Sequence, residues 1–277
     1  MARTIIYHHN DEDGWASAAV ILKKFPDAEL IACYHGNKYK FVKDYDNVFV
    51  VDFTFSQEEM NQLKNDNKNF VWIDHHISTM KNIQGEFEGI RKEGTAACKL
   101  CWEYFFPEEP VPKSIEFING FDIWDFSKEG TKEFISFLES HLELEKEAQQ
   151  ILEIMNTYSE EDYIKAITIG TQIKKYHKKI TSKQEIRGVK KDFQGYKAKI
   201  YFSNTNTSSL GNEALIKNKD IDIAVMINFV MINEKPSYWY SLRSRKGSNT
   251  DVSKIAEKFG GGGHSSAAGF ETKEQLW

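Results

Sequence analysis

The sequence predicts an α/β protein: a parallel-sheet N-terminal domain, a helical linker and a smaller α/β C-terminal domain. Three observations lead there. Short apolar runs alternate with helical stretches over the first 106 residues, the pattern of a helix-covered parallel sheet. From about Lys132 to Lys179 the chain is charged, free of proline and without strand-like runs. Strand-like runs then return, interrupted by a glycine-rich stretch near the C-terminus. The expected boundaries are residues 1–180 and 190–277.

Taken in order, Thr4–Tyr7 reads as a buried strand and Trp15–Leu22 (WASAAVIL) as a buried helix. Leu30–Tyr34 (LIACY), Val48–Val51 (VFVV) and Phe70–Ile73 (FVWI) are further short apolar strands. Ser56 and Glu59, three apart, form a capping-box pattern that starts a helix. Another helix follows from Thr95 (TAACKLCWEYF). Leu138, Leu142, Leu144, Ile151, Leu152 and Ile154 fall at loosely helical spacing, which predicts two or more amphipathic helices. Lys197–Phe202, Ile221–Val230 and Tyr238–Ser244 are the later strands, and Val252–Phe259 is a helix running into GGGGH.

Composition bounds the function. With 277 residues, 40% hydrophobic and 13% aromatic, the chain can bury a sizeable core. A net charge of −5 argues against a broad basic face coating long nucleic acid, though not against a local pocket for a small anion. The basic run Lys174–Lys191 reads first as a solvated helix face. Cys33, Cys98 and Cys101 form no disulfide framework, and the lone CxxC lies in an apolar helical run. No signal-like or membrane-length apolar run is visible, so a cytoplasmic, membrane-free setting is expected.

The chemistry concentrates where strands end. YHHNDEDGWAS (Tyr7–Ser17) packs two histidines and three acids into seven positions. Like charges so close raise one another's pKa unless a cation intervenes. VFVV then leads straight into Asp52, and FVWI into Asp74-His75-His76. In a parallel sheet these ends share one edge, where α/β folds place ligand sites. Carboxylates with a few imidazoles and no thiolate suit Mn²⁺ or Mg²⁺ better than structural zinc.

HNDEDG (His9–Gly14), the lone Asp52, DHH (Asp74–His76) and GGGGHSSAAG (Gly260–Gly269) together resemble, in order along almost the whole chain, the landmarks of the DHH phosphoesterase superfamily. GGGGHSSAAG resembles the motif of its associated C-terminal substrate domain. The resemblance implies two divalent cations, Mn²⁺ foremost with Mg²⁺ as the other candidate. His9 and Asp11 would hold one, Asp13 and His75 the other, and Asp52 would bridge them. His8 is the alternative to His9, because the position four before the first metal aspartate is Tyr7. Asp122 in FDIW would be a further ligand, with Asp125 as its alternative. His76 would lie near the scissile phosphate and Asp74 would orient an imidazole.

In the second domain the resemblance points to Arg243 as a phosphate-gripping arginine and to Gly261, Gly262, Gly263 and His264 as the substrate segment. Glycine there would let backbone N–H groups approach phosphate closely, with a purely structural turn as the bland alternative. Arg245 and Lys246 read as solvated loop charges. The aromatics of SYWYS (Ser237–Ser241) read as core before base-stacking. The implied activity is that of an oligoribonuclease (nanoRNase)-like phosphodiesterase on short oligonucleotides. The alternatives are a 3′-phosphoadenosine 5′-phosphate phosphatase and a cyclic-dinucleotide phosphodiesterase. The implied partners are a short oligonucleotide or nucleotide and no membrane, and a homodimer is compatible with the reading.

Overall fold

In the computed structural model, which describes residues 2–34, 37–232 and 235–276, the first apolar run becomes strand β1 (Thr4–His9) and hands over to helix α1 (Glu12–Lys24). Strands β2 (Glu29–Cys33) and β3 (Asn47–Val51) follow, then α2 (Gln57–Asp66) and β4 (Asn69–Ile73). The helices α3 (Ile77–Met80), α4 (Ala97–Phe105), α5 (Lys113–Asp122), α6 (Thr131–His141) and α7 (Glu147–Thr157) come next. The 27-residue α8 (Glu160–Ile186) carries the chain into its second part. The two compact units are Met1–Lys174 and Lys175–Trp277.

All strands of the first unit run parallel, in the order β2-β1-β3-β4. Their continuous apolar character reflects burial on both faces. Ile6, Phe49, Val51, Val71 and Ile73 point into one core with α1 and the later helices. Ile5, Tyr7, Val48, Val50, Phe70 and Trp72 point into the other with Met60 and Leu63 of α2. The chain steps from β1 to β2 on one side and resumes with β3 on the other, so β1 and β3 flank the switch point of the sheet.

Local signals start the helices. Ser56 and Glu59 close the capping box of α2, as their spacing predicts. Asp11 caps α1 by accepting the Gly14 N–H at 3.0 Å. A Cβ on Gly14 would lie 2.0 Å from the His9 carbonyl oxygen, so only glycine lets the first turn of α1 press against the end of β1. No helix among the described residues is long and apolar enough to cross a membrane.

The second unit holds β5 (Val189–Phe193), β6 (Tyr196–Phe202), α9 (Thr207–Lys217), β7 (Ile223–Ile232), β8 (Lys235–Ser244), α10 (Ser253–Glu257), β9 (Gly262–His264) and β10 (Ala267–Thr272). The sheet order is β5-β6-β7-β8-β10-β9, parallel only between β6 and β7, which α9 connects. Tyr240 is core, stacked on Phe270 with ring centroids 4.7 Å apart.

Four expectations need correction. The helix expected over 252–259 is a short one of five residues, Ser253–Glu257. The alternative of a purely structural turn does not hold over the whole glycine stretch, because Gly262–His264 pairs with β10 as strand β9. Leu144 lies between α6 and α7 and is 88% exposed, so its helical spacing is coincidental. Arg245 is no solvated charge: its guanidinium donates to the carbonyls of Ile221, Leu215 and Asn218 at 2.7–2.9 Å, tying the end of α9 to the sheet.

Candidate metal centre

The carboxyl ends of β1, β3 and β4 assemble one rim. β1 delivers His9 in its last position, Asp52 follows β3, and Asp74, His75 and His76 follow β4. Asp52 turns the chain with φ +52°, a left-handed conformation that Asp and Asn tolerate better than most residues. The cap of α1 adds Asp11 and its first turn adds Asp13, while Asp122 arrives at the last residue of α5.

Three groups of side chains place ligand atoms within 4.8 Å of one another: His9, Asp11 and Asp52; Asp13, His75 and Asp122; and Asp52, His75 and His76. His9 Nδ1 lies 2.6 Å from Asp11 Oδ2 and 3.7 Å from Asp52 Oδ2. His75 Nε2 faces three carboxylates, at 3.5 Å from Asp13 and 3.4 Å from both Asp52 and Asp122. Asp13, Asp52 and His75 are each only 2% exposed. Both oxygens of Asp52, and one of Asp122, are buried without a hydrogen bond.

The missing hydrogen bonds are the informative feature, since a buried carboxylate is costly unless it is hydrogen-bonded as well as paired, and His9, His75 and His76 approach Asp52 at 3.4–3.7 Å without forming one. Burial, then the negative charges of Asp13, Asp11, Asp122 and Asp74, push the Asp52 carboxyl well above the usual range. Burial and the charges of Asp13 and Asp11 do the same to Asp122. Burial also opposes ionisation of Asp11, but its bond to His9 outweighs that and holds it low. His9 is correspondingly raised, the pull of Asp11 overcoming desolvation. His75 is lowered by burial. An all-oxygen-and-imidazole donor set with unsatisfied buried carboxylates fits hard divalent cations.

Asp74 does something different. One oxygen accepts from the backbone N–H of His75 (2.7 Å) and His76 (3.1 Å) and contacts the His76 Nδ1 at 2.9 Å, while the other accepts the Thr54 hydroxyl. These bonds overcome the cost of its burial and hold Asp74 ionised. Burial works against charge on His76, but Asp74 outweighs it and raises the imidazole to about 9. Asp74 therefore orients and charges His76.

His8 points elsewhere: its Nδ1 contacts the His9 carbonyl oxygen at 2.8 Å, and it belongs to none of the three groups. Asp125 is likewise outside them, its carboxylate accepting the Ser127 N–H. Sequence reasoning missed the long-range supports. The N–H groups of Ala97 and Cys98, at the start of α4, donate to both oxygens of Asp13 at 2.8 and 2.7 Å. The helix N-terminus thereby steadies that carboxylate. No local pattern announces this contact across 84 residues. The buried thiols of Cys98 and Cys101 are pushed up by burial and lie in no such group.

In the second unit, Arg243 of β8 donates to the Ser208 hydroxyl at 2.8 Å and the Leu242 carbonyl at 2.9 Å. β10 lies beside it, Ala267 opposite Arg243 and His264 opposite Ala267. This sheet therefore brings the Arg243 and His264 strands into one neighbourhood. A Cβ on Gly261 would meet the Gly269 carbonyl oxygen at 2.1 Å. Gly263 has φ +137°, and a Cβ there would lie 2.5 Å from the Ala267 carbonyl oxygen. Both glycines are required by packing. Gly262 has nothing within 4 Å of such a Cβ, and His264 is exposed.

Comparison with known proteins agrees with this architecture. An uncharacterized protein of Acanthamoeba polyphaga mimivirus is 28% identical over 292 residues, covering 96% of this chain and 66% of the relative. The chain thus spans about two thirds of that relative's length. A pGpG-specific phosphodiesterase from Vibrio cholerae superposes with a TM-score of 0.54 at 13% identity, covering 97% of this chain and 93% of that one. RecJ from Thermus thermophilus, solved with Mn²⁺, gives 0.56 at 12% identity, covering 97% and 49%. The DHH domain of a member of a ribosomal-protein family gives 0.58 at 13%, covering 97% and 82%. Residues 3–118 match the DHH family, N-terminal domain. That match covers 116 of the 277 residues and shows a DHH-family N-terminal domain over residues 3–118.

Proposed function

We propose that this protein is a divalent-metal-dependent phosphodiesterase that hydrolyses short oligonucleotides. The observation that carries the reading is Asp52: two buried oxygens without a hydrogen bond, shared between two groups of convergent acids and imidazoles. His9, Asp11 and Asp52 would hold one cation, and Asp13, His75 and Asp122 a second, with Asp52 within reach of both. Mn²⁺ is the expected ion, and the RecJ neighbour solved with Mn²⁺ supports a divalent preference. Divalent cations there would acidify a water and offset the charge of a phosphoester.

The chain's own groups supply the rest. Asp74 fixes the His76 ring and keeps it protonated at neutral pH. His76 can then hold a proton for the leaving oxygen as the P–O bond breaks. Asp13, braced by the start of α4, presents its carboxylate without needing to reorganise. Arg243, His264 and the open backbone at Gly262 are the proposed phosphate contacts of the second unit. The pGpG-specific neighbour supports a linear, short substrate.

The test is product analysis with Mn²⁺ on a dinucleotide, a cyclic dinucleotide, 3′-phosphoadenosine 5′-phosphate and oligonucleotides up to twenty-mers. Oligonucleotides of roughly two to five residues should be cut fastest, with weak dependence on salt, because few phosphates are neutralised. Exclusive release of inorganic phosphate from the bisphosphate, or exclusive opening of the cyclic substrate, would replace this reading.

A further inference from the structure

The second half of α8 carries a concentrated run of positive charge. Residues 174–191 hold eight Lys or Arg and one acid, Glu185, in a chain whose net charge is −5. The run is not the single solvated helix face its sequence suggests: it covers the end of α8 and the edge strand β5. Lys174 is paired with Glu133 and Lys190 with Asp220. Lys175, Lys178, Lys179 and Lys183 are exposed and make no ion pair among the described residues.

Lys175, Lys179 and Lys183 succeed one another at i, i+4 and i+8, forming a stripe opposite the buried Thr181 and Glu185. Like charges at this spacing weaken a helix. Earlier in the same helix the spacing is used conventionally, with Lys165 bridged to Glu161. Tyr176, 63% exposed, stands beside the stripe.

We infer that this stripe of α8 is a docking track for single-stranded nucleic acid longer than the cleaved substrate. Successive lysines rise by about 6 Å along the helix, a step of the same order as that between phosphates of an extended strand. A cationic row with an interleaved aromatic is how sequence-tolerant strand binding is built. An anionic membrane would demand a continuous apolar strip beside the cations. Between Lys175 and Lys183 the only exposed large apolar side chain is Tyr176. That the docked strand is longer than the cleaved substrate rests on the hydrolytic reading, whereas the docking itself is read without hydrolysis.

The test uses the full chain and a phosphorothioate-linked, fluorescent 20-mer in EDTA, with anisotropy read from 50 to 200 mM salt and phosphatidylserine vesicles as the parallel ligand. Lys175→Gln/Lys179→Gln/Lys183→Gln should weaken binding to the 20-mer about tenfold or more at low salt. It should also reduce the log–log salt slope by about 2, at roughly 0.7 per phosphate contact. Tyr176→Ala should weaken binding about fivefold without changing the slope, since stacking releases no counterions. Dinucleotide hydrolysis and the thermal midpoint should stay at the parental values in both variants. Unchanged affinity and slope in the triple variant would overturn the inference. So would a loss confined to the vesicles, which would assign the stripe to a lipid surface.

Discussion

The acid rim of the first unit and the glycine-rich strand of the second are the two motif-bearing regions of this molecule, and packing accounts for them to different degrees. Gly261 and Gly263 are required because β10 lies where their side chains would be, so sheet formation alone explains them. Asp52 has no such account. Its carboxylate is buried, makes no hydrogen bond and feels the like charge of four other aspartates, with imidazole nitrogens at 3.4–3.7 Å, an arrangement that lowers the stability of the metal-free fold. A motif that stability explains is weak evidence for function; one that stability opposes is strong evidence.

The largest effect belongs to Asp52→Asn. Asparagine keeps the shape and tolerates φ +52°, so it removes charge without the backbone strain that alanine would add. Hydrolysis should fall at least ~10³-fold, while the metal-free protein should melt at a higher temperature than the parent. Near-parental turnover in excess Mn²⁺, followed by product release, would remove Asp52 from the site.

Two arginines on one strand and its end give the next test. Arg245→Ala leaves three carbonyls without their donor, and denaturant unfolding should show a loss of about 2–4 kcal/mol. Arg243→Ala should instead lower kcat/KM ten- to a hundredfold on the natural substrate, about the worth of a charged hydrogen bond. A small activated phosphodiester should be much less affected. Reversed outcomes would exchange their roles.

Within the glycine strand, Gly263→Ala should destabilise through its left-handed φ and the nearby Ala267 carbonyl. Gly262→Ala meets open space, so it should fold normally and raise KM several-fold if backbone there approaches phosphate. A Gly262→Ala variant with parental KM would leave the strand with its packing role alone.

The smallest expected effect is a pH dependence. His76 is raised to about 9 by Asp74, so the stability this pair supplies is present in full below about 6.5 and lost as pH rises through about 9. In metal-free protein, thermal midpoints between pH 6 and 10 should decline more steeply for the parent than for His76→Gln. Parallel curves would show that the pair contributes no charge interaction.

The legible parts of the site were those written locally. Apolar runs ending in Asp52 and in Asp74-His75-His76 announced both the strands and their chemical ends, and the parallel order placed them on one edge. Ser56 and Glu59 announced their own cap. What stayed hidden depends on distant partners. The grip of α4 on Asp13 and of Arg245 on α9 join segments whose adjacency no short window contains. Strand β9 escaped because glycine has low strand propensity and its pairing is set by β10. β5, reading Val-Lys-Lys-Asp-Phe, escaped because charged edge strands lack an apolar run.

The proposed role of the rim is to hold divalent cations. Isothermal titration of metal-free protein with Mn²⁺, repeated on Asp52→Asn, tests it most directly. About two ions should be taken up per chain, in step with hydrolysis, with both uptake and turnover lost in the variant. Undiminished Mn²⁺ binding by Asp52→Asn, or no binding by the parent, would contradict it.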